Sequence, residues 1–575
     1  MKHLFLFLVL VSSIPAFAVK YQATSATLGG DAVKNGDYVE MKTGELTFNS
    51  VNVSPAGMYD IIIHYKQDND ATKKQNLVVN GTNVGEVEFP RTAAWKDIVA
   101  VARLNSGNNT VALTKSWGWV DIQYIDVVPH ENASFNLGPL VNPNANAAAK
   151  KMYAFLQEKF QKKVISGVMT GEVLNGNIAA TINTQKDVAH IRSSSNNKTP
   201  ALVGFDFMHG TGKEYEAANG GWFKQYTDAT ISLAKELYGR GGIPAFCWHW
   251  RDPLKKDVGF YSPSSNGNDK TTFDLTKACT NSSCTAWNTN SAEYKGMVAD
   301  LDKIAGYLKE LQDAGVAVLW RPVHEASGGW FWWGGKGAAP LKLLYKLVYT
   351  KFTDEHKLNN LIWVWTSEGA DYDWYPGDEY ADIIGRDFYY PQQDVVNHAS
   401  LIGEFEKLKN LFGTKKIITL SENGSVPYPS NMKADGAGWS YFMPWYGNFV
   451  TTSTPAAAWN TIMNDDYTIT LESMPGWDKY NPVIPGPSSS SNTTQSSSSS
   501  SDSNTNPSSS SSESNAYSSS SSEDTTPIVK NSPLATSNSP TYYSLKGEPL
   551  GNAKPQKAGI YIVKQGQSVK KIAVR

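Results

Sequence analysis

Eight short apolar runs, at 164–169, 201–207, 242–248, 316–321, 361–365, 383–388, 416–420 and 440–443, alternate with helical patterns that include 222–237, 293–313, 340–357 and 401–411. The run at 316–320, V-A-V-L-W, has no polar alternation, as expected of a strand covered on both faces. Strand and helix repeated eight times over about 320 residues is what a (β/α)8 barrel needs. A doubly wound open sheet is the structural rival, but no Gly-rich phosphate loop follows the first strand.

Such a barrel keeps its reactive groups at the C-terminal ends of its strands. Those ends carry Asp206 after the second run, His249 and Asp252 after the third, Arg321, His324 and Glu325 after the fourth and Glu368 after the fifth. Asp387 and Tyr389 follow the sixth, Glu422 the seventh and Trp445 the eighth. The fourth end is the densest: 316–335 reads V-A-V-L-W-R-P-V-H-E-A-S-G-G-W-F-W-W-G-G. A Gly-bracketed loop with Trp330, Phe331, Trp332 and Trp333 is expensive to leave wet unless it holds a ligand. Sugar rings suit it, because their C–H faces stack on indoles while polar groups take their hydroxyls. No His/Cys spacing suggests zinc and no Gly-x-Ser-x-Gly elbow appears. What remains is a carboxylate-lined, aromatic-rimmed mouth, and paired carboxylates are the apparatus of glycoside hydrolysis. Order along the chain does not say which two of these acids form the pair.

Composition agrees. The 575 residues exceed one core, so several domains are expected. Lys plus Arg (52) nearly balances Asp plus Glu (54), which points away from a nucleic-acid partner. The 18 Trp and 28 Tyr favour a carbohydrate-binding surface over the alternative of a Trp-rich core.

The flanks divide the chain further. Residues 1–18, with M-K-H, the apolar 4–14 and Ala16-Phe17-Ala18, have the form of a secretory signal cleaved after Ala18, so the protein is expected to be exported. The signal is too short to span a bilayer comfortably, and no other segment looks transmembrane. Residues 19–130 hold about eight short β-like runs with Asn80-Gly81 and other turn signals, hence an antiparallel sandwich. A linker at 131–146 leads to the barrel domain, 147–484. Residues 485–527 are a serine-rich flexible spacer, since they cannot bury enough apolar area to offset their ordering entropy. Residues 528–575 read as a small β domain. Three cysteines fit modest disulfide use: Cys279 and Cys284, flanking T-N-S-S, could pair, whereas Cys247 reads as a buried free thiol.

Several phrases carry family resemblance. A-G-M-Y-D-I-I-I-H-Y-K, L-V-V-N-G, L-N-S-G-N-N-T-V and G-W-V-D-I-Q-Y-I-D-V resemble carbohydrate-binding module family 35. That resemblance implies sugar binding through loop aromatics, for which Trp117 and Trp119 are the candidates beside the alternative of edge and core aromatics. Modules of this kind often hold a structural calcium through acidic side chains near the chain ends. Gln22 and Gln123, the latter where Asp is commoner, count against a full calcium site. G-I-Y-I-V-K and K-K-I-A-V-R resemble the C-terminal sorting domains of the type IX secretion route, which implies secretion machinery as a partner and cell-surface attachment as an alternative to release.

The W-R-P-V-H-E-A-S-G-G-W-F-W-W-G block, with W-H-W-R-D-P, G-R-D-F-Y and L-S-E-N-G, resembles glycoside hydrolase family 26, chiefly β-mannanases. The resemblance implies Glu325 as acid/base and Glu422 as nucleophile of a retaining enzyme, with carboxyl groups roughly 5 to 5.5 Å apart. It implies that His249 and His324 line the subsite of the scissile bond and that Asp387, Tyr389, Trp330 and Trp445 shape it. Ala326 follows the acid where the family often has Asn, a departure that touches a substrate contact. Arg321 and the Tyr389 hydroxyl are suited to keep Glu422 ionised, and a Trp-walled pocket to keep Glu325 protonated. Trp330 and Trp333 are the expected sugar platforms; Asp206, Asp252 and Glu368 read as structural. The expected activity is a secreted endo-β-1,4-mannanase acting on mannan, galactomannan or glucomannan without a catalytic cofactor. Same-family β-1,3-xylan or mixed-linkage β-glucan cleavage competes with it, as does a non-catalytic cell-surface polysaccharide-binding protein.

Overall fold

The computed structural model describes residues 19–482, except 133, 177 and 391–394, together with parts of 541–574. The expected signal at 1–18 and the serine-rich spacer at 485–527 lie outside the described residues. The described residues fall into two compact units, one within 1–488 and the other within 489–575.

The N-terminal module is a sandwich of two antiparallel sheets. One is built around Gly57–Gln67, paired with Thr92–Leu104 on one side and Asp121–Pro129 on the other. The other is built around Gly107–Trp117, paired with Glu45–Val53 and Lys73–Val79. Alternation drives this arrangement: along Gly57–Gln67 every second residue from Tyr59 is buried, so Ile61, Ile63 and Tyr65 face the core between the sheets. Trp117 and Trp119 project outward, each 54% exposed, with the Lys73 ammonium 4.4 Å from the Trp117 ring centre. Near the chain ends, Gln123 donates its amide to Asp37 at 2.5 Å.

The barrel follows through an extended segment that hydrogen-bonds along it, Asn136 N–H to Thr414 O and Val141 N–H to Asp382 Oδ1. Seven parallel strands form its continuous sheet: Gly167–Met169, Leu202–Asp206, Ile243–Cys247, Val318–Arg321, Leu361–Ser367, Ile383–Phe388 and Ile417–Asn423, called barrel strands one to seven. Nearly every residue in them is buried. Helices expected from periodicity cover them, among them Gly221–Gly239, Ala292–Asp313, Ala338–Thr350 and Ile402–Phe412.

The eighth strand expected at 440–443 is a correction. That segment lies between strands seven and one and bonds to both neighbours, Ser440 N–H to Ile418 O and Met169 N–H to Pro444 O, but builds no regular ladder. Side chains intercept its backbone. Thr419 Oγ1 engages both the N–H and the carbonyl of Tyr441, Asn423 Oδ1 accepts from Met443 N–H, and Pro444 has no N–H to give. The run at 164–169 also divides: Val164–Ile165 pairs with Thr468–Ile469 outside the barrel sheet. The result is a nearly closed seven-stranded barrel.

The tryptophan excess is largely core. Trp248, Trp250, Trp320, Trp332, Trp333, Trp363, Trp365, Trp439 and Trp459 are all less than 2% exposed. Cys279 and Cys284 are joined by a disulfide, and Cys247 is a buried free thiol. In the second unit, Thr541–Tyr543, Pro549–Gly551, Gly559–Gln565 and Ser568–Val574 form a four-stranded antiparallel sheet. No helix among the described residues is long and apolar enough to cross a membrane.

Candidate active site

The C-terminal ends of strands four, six and seven bring Arg321, Asp387 and Glu422 together. Strands six and seven run in register up to Arg386 and Leu420; then a bulge sets Asp387 opposite Glu422. The skipped residue, Ser421, donates its hydroxyl to Asp387 Oδ1 at 2.6 Å. A bulge of this kind re-aims a side chain at a strand end.

Arg321 reaches across from strand four. Its guanidinium donates to Asp387 Oδ2 at 2.6 Å, to Thr366 Oγ1 at 3.2 Å and to Glu422 Oε1. The other Glu422 oxygen accepts the Tyr389 hydroxyl at 2.8 Å. Both oxygens of Glu422 therefore face donors, and the donors favour its charged form.

Glu325 arrives by a different route. After strand four the chain turns sharply, with Val323 at φ 42° and Glu325 at φ 51°, both left-handed without being glycine. A β-branched residue in this region is strained, a conformation that persists where the surroundings demand it. The turn packs against the loop that follows. A Cβ on Gly334 would lie 1.9 Å from the Ala326 carbonyl, so only glycine lets the loop close there. Trp330 donates its indole N–H to Glu325 Oε2 at 2.9 Å.

One carboxylate oxygen each from Glu325, Asp387 and Glu422 lies within 4.8 Å of the other two. The cationic partner this trio needs is the Arg321 guanidinium. Burial, then Asp387 and Glu422, push Glu325 well above the usual carboxylate range. Burial pushes Glu422 up to about 7 against the pull of Arg321, with Asp387 adding to the rise and Tyr389 opposing it. The asymmetry of partners sets the order of ionisation: Glu422 has a guanidinium and a phenol, Glu325 a single indole. Glu422 loses its proton first, leaving one carboxylate beside one carboxylic acid.

The aromatic loop is partitioned by burial. Trp333, expected as a sugar platform, is fully buried, donates its indole N–H to the His324 carbonyl at 2.8 Å and stacks on Phe331 at 4.4 Å. It supports the acid-bearing turn from below, a correction that follows from alternation in a tight loop. Trp332 is buried too, bonded to the Trp250 carbonyl. Trp330 alone of the three is half-exposed and borders a cavity of about 490 Å³ shared with Tyr261, Ser264, Ser265 and Asn266.

His249 and His324 meet edge to face at 4.7 Å, and His249 also contacts Phe260 and Trp445. Burial and nearby Arg321 hold His324 well below the usual histidine range, so its ring is neutral. Asp206, read from sequence as structural, fixes His249: it accepts the backbone N–H at 3.0 Å and faces Nδ1 at 2.5 Å. With Nδ1 engaged, Nε2 is the atom that ring has left for a ligand. Asp252 caps its own loop, accepting from Leu254, Lys256 and Asp257 N–H groups. Glu368 bonds Arg386 at 3.1 Å, yet burial pushes it up to about 7 and it adds to the rise of Glu325. Arg386, absent from the sequence candidates, joins Glu368 to Glu404 behind the mouth. Its cue was available in G-R-D-F-Y, one position from Asp387.

Comparison with known proteins fits this geometry. Residues 141–473 match glycosyl hydrolase family 26 and residues 16–130 match carbohydrate binding module family 35. A mannan endo-1,4-beta-mannosidase of Thermothelomyces thermophilus is 32% identical over 492 residues, covering 80% of this chain and 91% of that protein. A GH26-CBM35 beta-(1,4)-mannanase of Podospora anserina superimposes with a TM-score of 0.54 at 32% identity, covering 80% of this chain and 99% of that one. A beta-mannanase from a symbiotic protist of the termite Reticulitermes speratus, complexed with gluco-manno-oligosaccharide, is 42% identical with a TM-score of 0.53, covering 60% of this chain and 100% of that one.

Proposed function

The chain belongs to glycosyl hydrolase family 26 and carries a family 35 carbohydrate-binding module, and on that premise we propose that it is a secreted, retaining endo-β-1,4-mannanase with Glu325 as acid/base and Glu422 as nucleophile. The observation that carries the reading is the approach of the Glu325 and Glu422 oxygens to within 4.8 Å, with guanidinium and phenol donors on Glu422 and neither on Glu325. So short a separation leaves no room for an activated water between acid and base, which favours direct attack by a carboxylate.

In the first step a Glu422 oxygen attacks the anomeric carbon while Glu325 gives its proton to the departing glycosidic oxygen, so the C–O bond breaks as the glycosyl ester forms. In the second, Glu325 takes a proton from water, the water oxygen bonds to the anomeric carbon, and Glu422 leaves as carboxylate. Arg321 and Asp387 hold Glu422 in place through both steps. His249, oriented by Asp206, offers Nε2 to a hydroxyl of the sugar at the scissile bond. Half-exposed Trp330 and Trp445 provide its apolar walls.

Mannan as substrate is supported by the named activity of the relatives. Reducing-end release from mannan, β-1,3-xylan and lichenan tests it: turnover of mannan is expected, and turnover of lichenan alone would replace the substrate and keep the chemistry. Export is supported by the pattern of residues 1–18, and surface attachment by the resemblance of the tail; Edman sequencing of secreted protein should begin at Val19.

A further inference from the structure

The turn that carries Glu325 is held from two sides. On the strand-three side Ser262 gives its N–H to the Trp330 carbonyl at 2.7 Å and its hydroxyl to the Gly329 carbonyl at 2.9 Å, so the excursion after strand three grips the far end of the aromatic loop. On the strand-five side the one hydrogen bond among the described residues runs from the Ser327 hydroxyl to Asp371 Oδ2, at 2.7 Å. Ser327 lies two positions past the acid, in the short turn Ala326–Gly328 that Glu325 opens at φ 51°.

Asp371 is buried, and both of its oxygens are engaged. Oδ1 accepts the Ser367 hydroxyl at the end of strand five, and Oδ2 accepts the Glu368 N–H at 2.9 Å besides the Ser327 hydroxyl. One oxygen therefore joins the acid-bearing turn to the backbone of Glu368, the neighbouring carboxyl that adds to the rise of Glu325. These three donors are all neutral. A buried carboxylate held by neutral donors is costly, and closing the strand-five loop uses only two of them. The third reaches out of that loop to a turn in which Val323 and Glu325 keep left-handed conformations that persist only where neighbours impose them. A carboxyl that must meet a leaving oxygen has little room to drift, since a misplacement of about 1 Å can cost a hundredfold in rate.

We propose that Asp371 is a positioning residue for the acid/base: through the Ser327 hydroxyl it fixes the turn that aims the Glu325 carboxyl at the departing glycosidic oxygen. The inference rests on the mannanase reading, in which Glu325 is the acid/base. Asp371 acts through Ser327 and moves no proton. Its effect is confined to the events that use Glu325, which are protonation of a leaving sugar in the first step and deprotonation of water in the second.

Ser327→Ala in the full chain removes the link and spares the two bonds that close the strand-five loop. The test compares kcat/KM, which reports the first step, on mannohexaose, whose leaving sugar needs a proton, and on 2,4-dinitrophenyl β-mannobioside, whose phenolate departs without one. The expected result is a loss of roughly ten- to a hundredfold on mannohexaose and of no more than about twofold on the aryl substrate. On the aryl substrate kcat should fall, because the second step still needs Glu325 as base, and added azide should restore it. Asp371→Asn should show the same split, and Ser327→Thr, which keeps the hydroxyl, should recover most of the loss. Equal losses in kcat/KM on both substrates would assign the bond a purely structural role and overturn the proposal, as would no loss on either. A wild type inactive on both substrates would overturn the mannanase reading and the inference with it, an outcome distinct from those two.

Discussion

Trp330 donates its indole N–H to Glu325 at 2.9 Å, five positions further along the same loop, and this is the one hydrogen bond made by that carboxyl group among the described residues. The donor favours the ionised form of Glu325 and so opposes burial. Replacing Trp330 with Phe should raise the pKa of Glu325 and move the alkaline limb of kcat/KM upward by up to about one pH unit, the worth of one hydrogen bond to a charged group. A pH–rate profile checks it; an unmoved limb would remove Glu325 from that ionisation.

Removal of either glutamate should separate the two steps. Glu325→Ala is expected to lose about 10² to 10⁴ in kcat/KM on mannan. Added azide should restore turnover of an activated mannoside and give a β-configured glycosyl azide. Glu422→Ala should show no such β-azide. A product of α configuration from the Glu325 variant would contradict retention.

Activity requires Glu422 ionised and Glu325 protonated. The acid limb of kcat/KM should therefore lie near the Glu422 value of about 7, and the alkaline limb above it. Arg321→Met removes the cation that lowers Glu422, so the acid limb should shift to higher pH. The same variant strands two buried carboxylates, and urea unfolding should show a loss of about 3 to 5 kcal/mol.

The module and barrel share a titrating contact. His130 lies buried between Asp60, 2.6 Å from Nδ1, and Glu406, 3.6 Å from Nε2, and these carboxylates raise its pKa from 6.5 to about 9. A raised folded-state value means that this stabilisation is complete below 6.5 and is lost as pH climbs through about 9. The melting temperature of the wild type should exceed that of His130→Ala at pH 6, and the gap should narrow by pH 10. A gap constant across that range would contradict the linkage.

Part of this site was legible along the chain because barrel topology fixes where strand ends point: the acids after the barrel runs, Glu325 and Glu422 among them, rise on one face. Which two of those acids pair was implied by the family resemblance and not by topology. Facts set by side-chain competition were not legible. Periodicity at 440–443 resembles a strand, and only the hydroxyl of Thr419 and the amide of Asn423 show why its ladder does not form. Trp330 and Trp333 are chemically alike, and a loop closing on Gly334 decides that one faces the mouth and the other the core. Asp206 looked structural because its partner, His249, lies just past the end of the neighbouring strand, 43 positions away.

The paired left-handed residues at Val323 and Glu325 also constrain how relatives of this protein can diverge. Neither helix nor strand tolerates such a turn, so it has no register along which to slide. One residue gained or lost between Arg321 and Glu325 would swing the carboxyl out of reach of its counterpart. A change of length that remodels the rim must therefore fall in segments that do not set this turn, such as the long excursion after strand three, where extra residues would change which chains are admitted and leave the chemistry untouched.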